Sequence, residues 1–254
     1  MRNVLRHRGQ QLLAAFLMGV IFAVLWGTAA VRAEGPAPEV ARPTATGFDI
    51  SWPQCGGPYP AQPLAFGIVG VTGGKPFTKN RCLADQWRWA DSGQFPAEVY
   101  INLDYWKKTS YLHFFGPAGL CRASDRLCQG YNYGWQSAKD AVAYGRSQGV
   151  DTLRWWLDVE TMNYWSKDTS ANARIIQGAI DYLQSERLEV GIYSTPYQWG
   201  VIAGKYAPGL PVWTAGATSL EGATARCNSQ YAFGGGQVEL VQWVEQYDMN
   251  YACP

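Results

Sequence analysis

The chain has 254 residues, 47% of them hydrophobic, and its 21 Lys and Arg nearly balance 20 Asp and Glu for a formal net charge of +1. That length suits one barrel-sized domain or two small ones, and the lack of a basic excess argues against nucleic acid as a partner. Of the two histidines only His113 lies beyond the amino-terminal segment, which excludes a multi-histidine metal site and would rest a serine triad on one ring, so His113 reads as a loop or structural residue.

Arg2, Arg6 and Arg8 precede an apolar run from Leu12 to Val31, and Val31-Arg32-Ala33 has the small or β-branched residues of a signal-peptidase site. Residues 1–33 are therefore expected to be an export signal cut after Ala33, which places the chain outside the cell or in its envelope. Left uncut, the run would be long enough for an amino-terminal anchor, the only contact with a membrane that the sequence suggests. Residues 34–46, rich in Pro and Ala, read as a tether, and residues 47–254 as the folded domain. Cys55, Cys82, Cys121, Cys128, Cys227 and Cys253 all follow the signal segment, and an even number in an exported chain favours disulfides. Many pairings are formally open. The preferred set is a local Cys121–Cys128 loop, Cys55 with Cys82, and Cys227 with Cys253.

The domain is expected to open with a short strand, Gly47 to Trp52, that places Asp49 and Ser51 on one face and is ended by Pro53. A buried strand from Phe66 to Val71 turns at Thr72-Gly73-Gly74 into a helix from about Asn80 to Ser92, with Leu83, Trp87 and Ala90 inward. Glu98 to Leu103 is the third strand, and Asn102 and Asp104 put polar groups at its carboxyl end. Tyr105 to Gly130 reads as a long aromatic loop, a lid or binding wall, and Trp135 to Gln148 as a helix with Trp135, Ala138 and Val142 inward and Gly149 as its stop.

The stretch Leu153-Arg154-Trp155-Trp156-Leu157-Asp158-Val159-Glu160-Thr161 is a buried strand ending in two acids. Side chains two apart share a face, so Asp158 and Glu160 meet in one small volume above Trp156. Repulsion and desolvation there raise the pKa of at least one carboxyl, keeping a proton available near neutral pH. A helix capped by Ser170 and running to about Arg187 follows, buried through Ile176, Ile180 and Leu183. Strands over Glu189 to Ser194, with Tyr193, over Leu210 to Ala215, with Trp213, and over Glu239 to Val244, with Gln242 and Trp243, complete the series. Asp248 and Asn250 sit just beyond the last.

Seven strands alternating with three clear helices predict an α/β fold, an incomplete parallel (β/α) barrel of the TIM type, whose working groups sit at the carboxyl ends of its strands. Asp49, Asn102, Asp104, Asp158, Glu160 and Asp248 all fall at such ends. Many of the 12 Trp and 15 Tyr fall in the same loops, where flat rings offer sugars an apolar platform. Trp87 and Trp155 read as core, whereas Tyr105, Trp106, Tyr164, Trp165, Tyr197, Trp199, Tyr193 and Trp213 are candidates for substrate contact.

Gly47-Phe48-Asp49-Ile50-Ser51, Trp156-Leu157-Asp158-Val159-Glu160, Ile192-Tyr193-Ser194-Thr195-Pro196-Tyr197-Gln198-Trp199 and Gln242-Trp243 with Asp248-Met249-Asn250, in that order, resemble the family-25 glycoside hydrolases, secreted lysozymes that cut peptidoglycan. The resemblance implies a flattened barrel of eight strands and five helices, Glu160 as general acid, and Asp158 as the group that orients the substrate's 2-acetamido group for attack on the anomeric carbon. It further implies Asp49 and Asp248 as flanking acids, and neither metal nor cofactor. Where the family carries Lys-Ala-Thr-Glu-Gly after its second strand, this chain has Val71-Thr72-Gly73-Gly74, and Tyr100-Ile101-Asn102-Leu103-Asp104 replaces its Tyr-His-Phe. The expectation is a divergent hydrolase of β-1,4 bonds in a cell-wall polysaccharide. The alternatives are a non-catalytic glycan-binding protein that keeps the cleft, or a structural envelope domain.

Overall fold

The computed structural model describes residues 44–106 and 111–254. The export signal expected in residues 1–33 and nearly all of the tether lie outside the described residues. In chain order the elements are β1 (Thr46–Ile50), β2 (Gly67–Gly70), α1 (Leu83–Asp91), β3 (Glu98–Asn102), the short hairpin strands β4 (Phe115–Gly116) and β5 (Gly119–Leu120), and α2 (Arg126–Ser147). Then come β6 (Arg154–Asp158), α3 (Thr169–Ser185), β7 (Glu189–Ser194), α4 (Pro196–Ala203), β8 (Val212–Ala217), α5 (Leu220–Thr224), β9 (Val238–Val244) and β10 (Asp248–Ala252).

Eight strands close a barrel in the order β1-β10-β9-β8-β7-β6-β3-β2. All neighbours are parallel except β10, which runs antiparallel to both β9 and β1. This corrects the count of seven strands: Asp248 and Asn250 lie within the eighth, and the barrel is incomplete only in its helices.

Alternation along β6 separates two cores. Trp156 points into the barrel, where it packs with Phe66, Ile68, Trp213, Leu240 and Ala252. Its indole fills the interior so fully that a Cβ on Gly191 of β7 would lie 2.2 Å from it. Trp155 and Leu157 point outward and join Val69, Val99, Ile101 and Ile192 against Leu83, Trp87 and Ala90 of α1, Ala138 and Val142 of α2, and Ile176, Ile180 and Leu183 of α3. Trp87 and Trp155 are core residues, as expected.

Three helices depart from the sequence reading. α2 starts nine residues earlier than expected, capped by Asp125, whose carboxylate accepts from Cys128 N at 3.0 Å. Gly130, the expected end of the loop, and Gly134, just before the expected helix, are instead where α2 meets α3 backbone to backbone: a Cβ on Gly134 would sit 1.8 Å from Ile175 O. α4 and α5 are additional, bringing the α-helices among the described residues to the five that the resemblance implies. The disulfides are Cys55–Cys82, Cys121–Cys128 and Cys227–Cys253. The last ties the loop after α5 to the end of β10. All described residues belong to one compact unit within Val40–Pro254.

Candidate active site

At the carboxyl end of the parallel strands the barrel opens into a cavity of about 150 Å³, lined by Asp49, Tyr100, Asp158, Glu160, Tyr193, Trp213, Gln242 and Asp248. Four of these are acids and none is a base. Period-two alternation explains the set, because Tyr100, Asp158, Tyr193, Trp213 and Gln242 each face inward from their own strand at the top of the barrel. Asp49 and Asp248 are register partners in the β1–β10 pair, so two carboxyls face each other across one ladder step.

Two hydrogen-bond networks hold the buried carboxyls. Asp49 Oδ2 accepts from Gln242 Nε2 at 2.9 Å and from Asn250 Nδ2 at 2.7 Å. Each amide is itself oriented, since Tyr193 donates its hydroxyl to Gln242 Oε1 at 2.8 Å and Trp213 Nε1 donates to Asn250 Oδ1 at 2.8 Å. On the opposite wall Thr72 donates to Asn102 Oδ1, and Asn102 Nδ2 donates to Asp158 Oδ2. Asp158 Oδ1 is buried and has no hydrogen-bond partner among the described residues. Glu160 lies two residues beyond β6, half-buried, and its loop is pinned through its backbone: Trp165 Nε1 donates to Glu160 O at 2.9 Å, and Asn163 N to the same oxygen at 3.2 Å.

Burial, with no cation among the described lining residues, raises every acid of the group. Desolvation, then repulsion by Asp248, pushes Asp49 up to about 8, against the amide hydrogen bonds that pull it down. Desolvation and the Glu160 charge lift Asp158 well above the usual carboxylate range. Glu160 is raised by desolvation and by Asp248, and Asp248 by desolvation. Four carboxyls in one volume therefore titrate together and carry fewer than four charges near neutral pH. Burial likewise keeps the Tyr193 phenol protonated, as its hydrogen bond to Gln242 requires. Among the described residues no group of three or more His, Cys, Asp or Glu is arranged to hold a metal ion.

Of the residues proposed from sequence, the structure brings Asp158, Glu160, Asp49, Asp248, Tyr193 and Trp213 to the cavity. Asn102 stands behind Asp158 rather than in the wall. Asp104 turns away and accepts from the Tyr133 hydroxyl of α2 at 2.8 Å. Trp199 is a correction: it is 3% exposed, its face lies 5.4 Å from Phe233, and its Nε1 donates to Tyr206 O, because α4 carries it into the outer core. Tyr105 and Trp106 are also buried, stacked at 4.0 Å, whereas Tyr164 and Tyr197 are exposed. Trp165 supports Glu160 from behind. Tyr100, Gln242 and Asn250 are not among the residues proposed from sequence, although Tyr100 shares a strand face with Asn102 and Asn250 with Asp248, and Gln242 sits opposite Asn250 across the β9–β10 ladder.

The sequence profile of a family described as lysozyme-like protein 1 (Lys-1) matches residues 126–238. Over 62 residues the chain is 42% identical to a probable GH family 25 lysozyme 4 of Dictyostelium discoideum, covering 24% of this chain and 29% of that protein. Over 90 residues it is 29% identical to a probable GH family 25 lysozyme 2 of the same organism, covering 35% and 42%. The chain thus spans less than half the length of either curated relative.

Among solved structures, a family GH25 lysozyme from Aspergillus fumigatus superposes with a TM-score of 0.51 at 14% identity, covering 83% of this chain and 94% of that one. A family 25 glycosyl hydrolase from Bacillus anthracis gives 0.50 at 12% identity, covering 82% and 88%. The modular autolysin LytC from Streptococcus pneumoniae, solved with a synthetic peptidoglycan ligand, gives 0.51 at 14% identity, covering 82% and 46%. At these identities the likeness is one of fold. Sequence profile, local identity and barrel point the same way: the chain is similar to the lysozymes of glycoside hydrolase family 25.

Proposed function

We propose that this chain is a muramidase that hydrolyses β-1,4 bonds of peptidoglycan, with Glu160 as general acid and then base and Asp158 as the partner of the substrate's acetamido group. The observation that carries the reading is the acidic mouth, whose lining among the described residues holds four carboxyls and no cation and leaves one buried oxygen of Asp158 unpartnered. Lysozymes among the relatives and the peptidoglycan ligand of LytC support the substrate class.

In the first step protonated Glu160 gives its proton to the glycosidic oxygen as the bond to the anomeric carbon breaks. The acetamido carbonyl oxygen attacks that carbon while Asp158 Oδ1 accepts the acetamido N–H and offsets the positive charge on the resulting ring. Water then adds to the anomeric carbon as its bond to the acetamido oxygen breaks and the acetamido group re-forms, the proton of the water passing to the Glu160 carboxylate, which restores the acid. Substrate assistance of this kind is an exception to the scheme with an enzyme nucleophile. Asp49 and Asp248 line the pocket beside the sugar, and Tyr100, Tyr193 and Trp213 supply aromatic walls.

Export fits the same reading: residues 1–33 act as a signal, cleaved or retained as an anchor, residues 34–46 tether the domain that begins at residue 47, and three disulfides suit an oxidising compartment. The test is mass spectrometry of soluble fragments after the full chain, or its Glu160→Gln variant, is incubated with purified peptidoglycan. New reducing ends at N-acetylmuramic acid from the parent, with turnover at least about 10²–10³-fold lower in the variant, are expected. Equal turnover in both sinks the assignment of Glu160. No fragments from either, together with sedimentation on the wall material, would favour a binding protein.

A further inference from the structure

Between β3 and α2 the chain inserts the hairpin β4–β5, and this insertion is tied down at several points. The Cys121–Cys128 disulfide joins the segment after β5 to the first turn of α2. Asn132, fully buried on α2, accepts from Ala118 N at 3.0 Å and donates to Gly119 O at 3.0 Å. Gly116 allows that approach, since a Cβ there would meet Asn132 Oδ1 at 2.6 Å. Within this clamp His113 is 1% exposed and stacks on Trp106 at 4.9 Å, with an interplanar angle of 16°.

The stack continues toward the active site. Trp106 lies 4.0 Å from Tyr105, nearly parallel to it, and Tyr105 meets Tyr164 edge-on at 6.3 Å. Tyr105 N also donates to Tyr164 O at 2.7 Å. Tyr164 and Trp165 belong to the loop that leaves Glu160, and Trp165 packs on the cluster of Tyr105, Trp106 and Tyr133 while its Nε1 holds the Glu160 carbonyl. An unbroken series of contacts thus leads from a disulfide-clamped surface insertion to the backbone of the acid.

We propose that the clipped hairpin is a positioning device for Glu160, acting through the stacked rings of His113, Trp106 and Tyr105 on the Tyr164-Trp165 loop. The inference rests on the reading of Glu160 as general acid. Trp106 and His113 are positioning residues that need not touch substrate. Their value is that a half-buried carboxyl on a loop end must be held to within a fraction of an ångström, and packed rings hold a loop where a lone hydrogen bond would not.

The test measures kcat, KM and the pH profile of kcat on purified peptidoglycan for the full chain and for Trp106→Ala, Trp106→Phe and the double variant Cys121→Ser/Cys128→Ser. Trp106→Ala and the double variant are expected to lose kcat about tenfold with KM within about twofold, the pattern of a lost transition-state interaction. The alkaline limb of the profile, which reports loss of the proton on Glu160, should move to lower pH, because a carboxyl that swings toward water escapes the burial and the Asp248 charge that raise it. Trp106→Phe keeps a stacking ring and should stay near the parent. If Trp106→Ala does not fold, Trp165→Phe, which keeps a smaller aromatic ring in the cluster but deletes the N–H held to Glu160 O, should shift the limb in the same direction. An unchanged kcat, or a lower kcat with the limb unmoved, overturns the proposal while leaving an active parent's general acid intact. A parent without turnover removes both readings.

Discussion

The two ends of this barrel carry similar numbers of acids and treat them in opposite ways. At the amino end Arg154 reaches Glu189 at 3.2 Å and Glu239 at 3.1 Å, its guanidinium lies 5.5 Å over the Trp156 ring, and the indole of Trp156 donates to Glu98 at 2.7 Å. There a cation stands within a few ångströms of the carboxyls. At the carboxyl end Asp49, Asp158, Glu160 and Asp248 share a cavity with an amide, two phenols and an indole, and among the described residues no cation lines it. One end thus uses ionic groups to close the barrel, whereas the other keeps carboxyls in an unbalanced state that stability alone does not favour. The imbalance marks the working end.

Substitutions that break this contrast should separate activity from stability. The largest effect is expected from Asp158→Asn, which keeps the contact with Asn102 in one orientation but removes the charge that faces the acetamido group. Steady-state kinetics on peptidoglycan should show kcat falling about 10²-fold or more with a melting temperature at or above that of the parent. A drop of less than about threefold would remove Asp158 from the mechanism.

Asp49→Asn sharpens the same point through pH. A carboxyl raised from 3.8 to about 8 binds its proton more tightly in the folded than in the unfolded chain. Its contribution is present at low pH and is lost as pH rises from about 4 to about 8. Thermal melts of the parent should therefore fall across that window, with the loss complete only above the folded value. The Asn variant should show a smaller slope and melt about 2–6 °C higher at pH 8. Parallel melting curves would mean that Asp49 is ionised throughout.

The smallest effect is expected at the other end. Arg154→Met should cost about 1–2 kcal/mol, because two half-exposed glutamates lose their partner and the guanidinium leaves Trp156. It should lower the melting temperature by a few degrees and leave kcat within about twofold. A large loss of kcat would show that the two ends are coupled through Trp156.

How far the sequence could be read follows the same physics. The strand ends were legible because an apolar run terminating in an acid is a strong pattern, and Asp49, Asp158, Glu160 and Asp248 all converge as expected. β10 was missed because Asp248 to Ala252 returns antiparallel after a three-residue turn, without the helix that announces the other strands. The start of α2 was hidden by Gly130 and Gly134, whose missing side chains serve packing against α3 rather than a break. α4 did carry a start signal: Thr195 caps it, accepting from Gln198 N at 3.1 Å, and Pro196 follows at the first helical position. Overlooking that cap put Trp199 in the site instead of in the core. Tyr100 and Gln242 were within reach of strict alternation, whereas the burial of Tyr105 and Trp106 depends on a hairpin that no local pattern predicts.

Whether the acidic mouth holds a proton on Glu160 is read most directly from the side-chain carboxyl signals of the labelled chain, followed by carbon NMR across pH with Glu160→Gln for assignment. A Glu160 titration displaced above the ordinary value of 4.5, and lowered toward it when Asp248 is replaced by Asn, is expected. A Glu160 that titrates at or below the ordinary value, unmoved by the loss of Asp248, would contradict it.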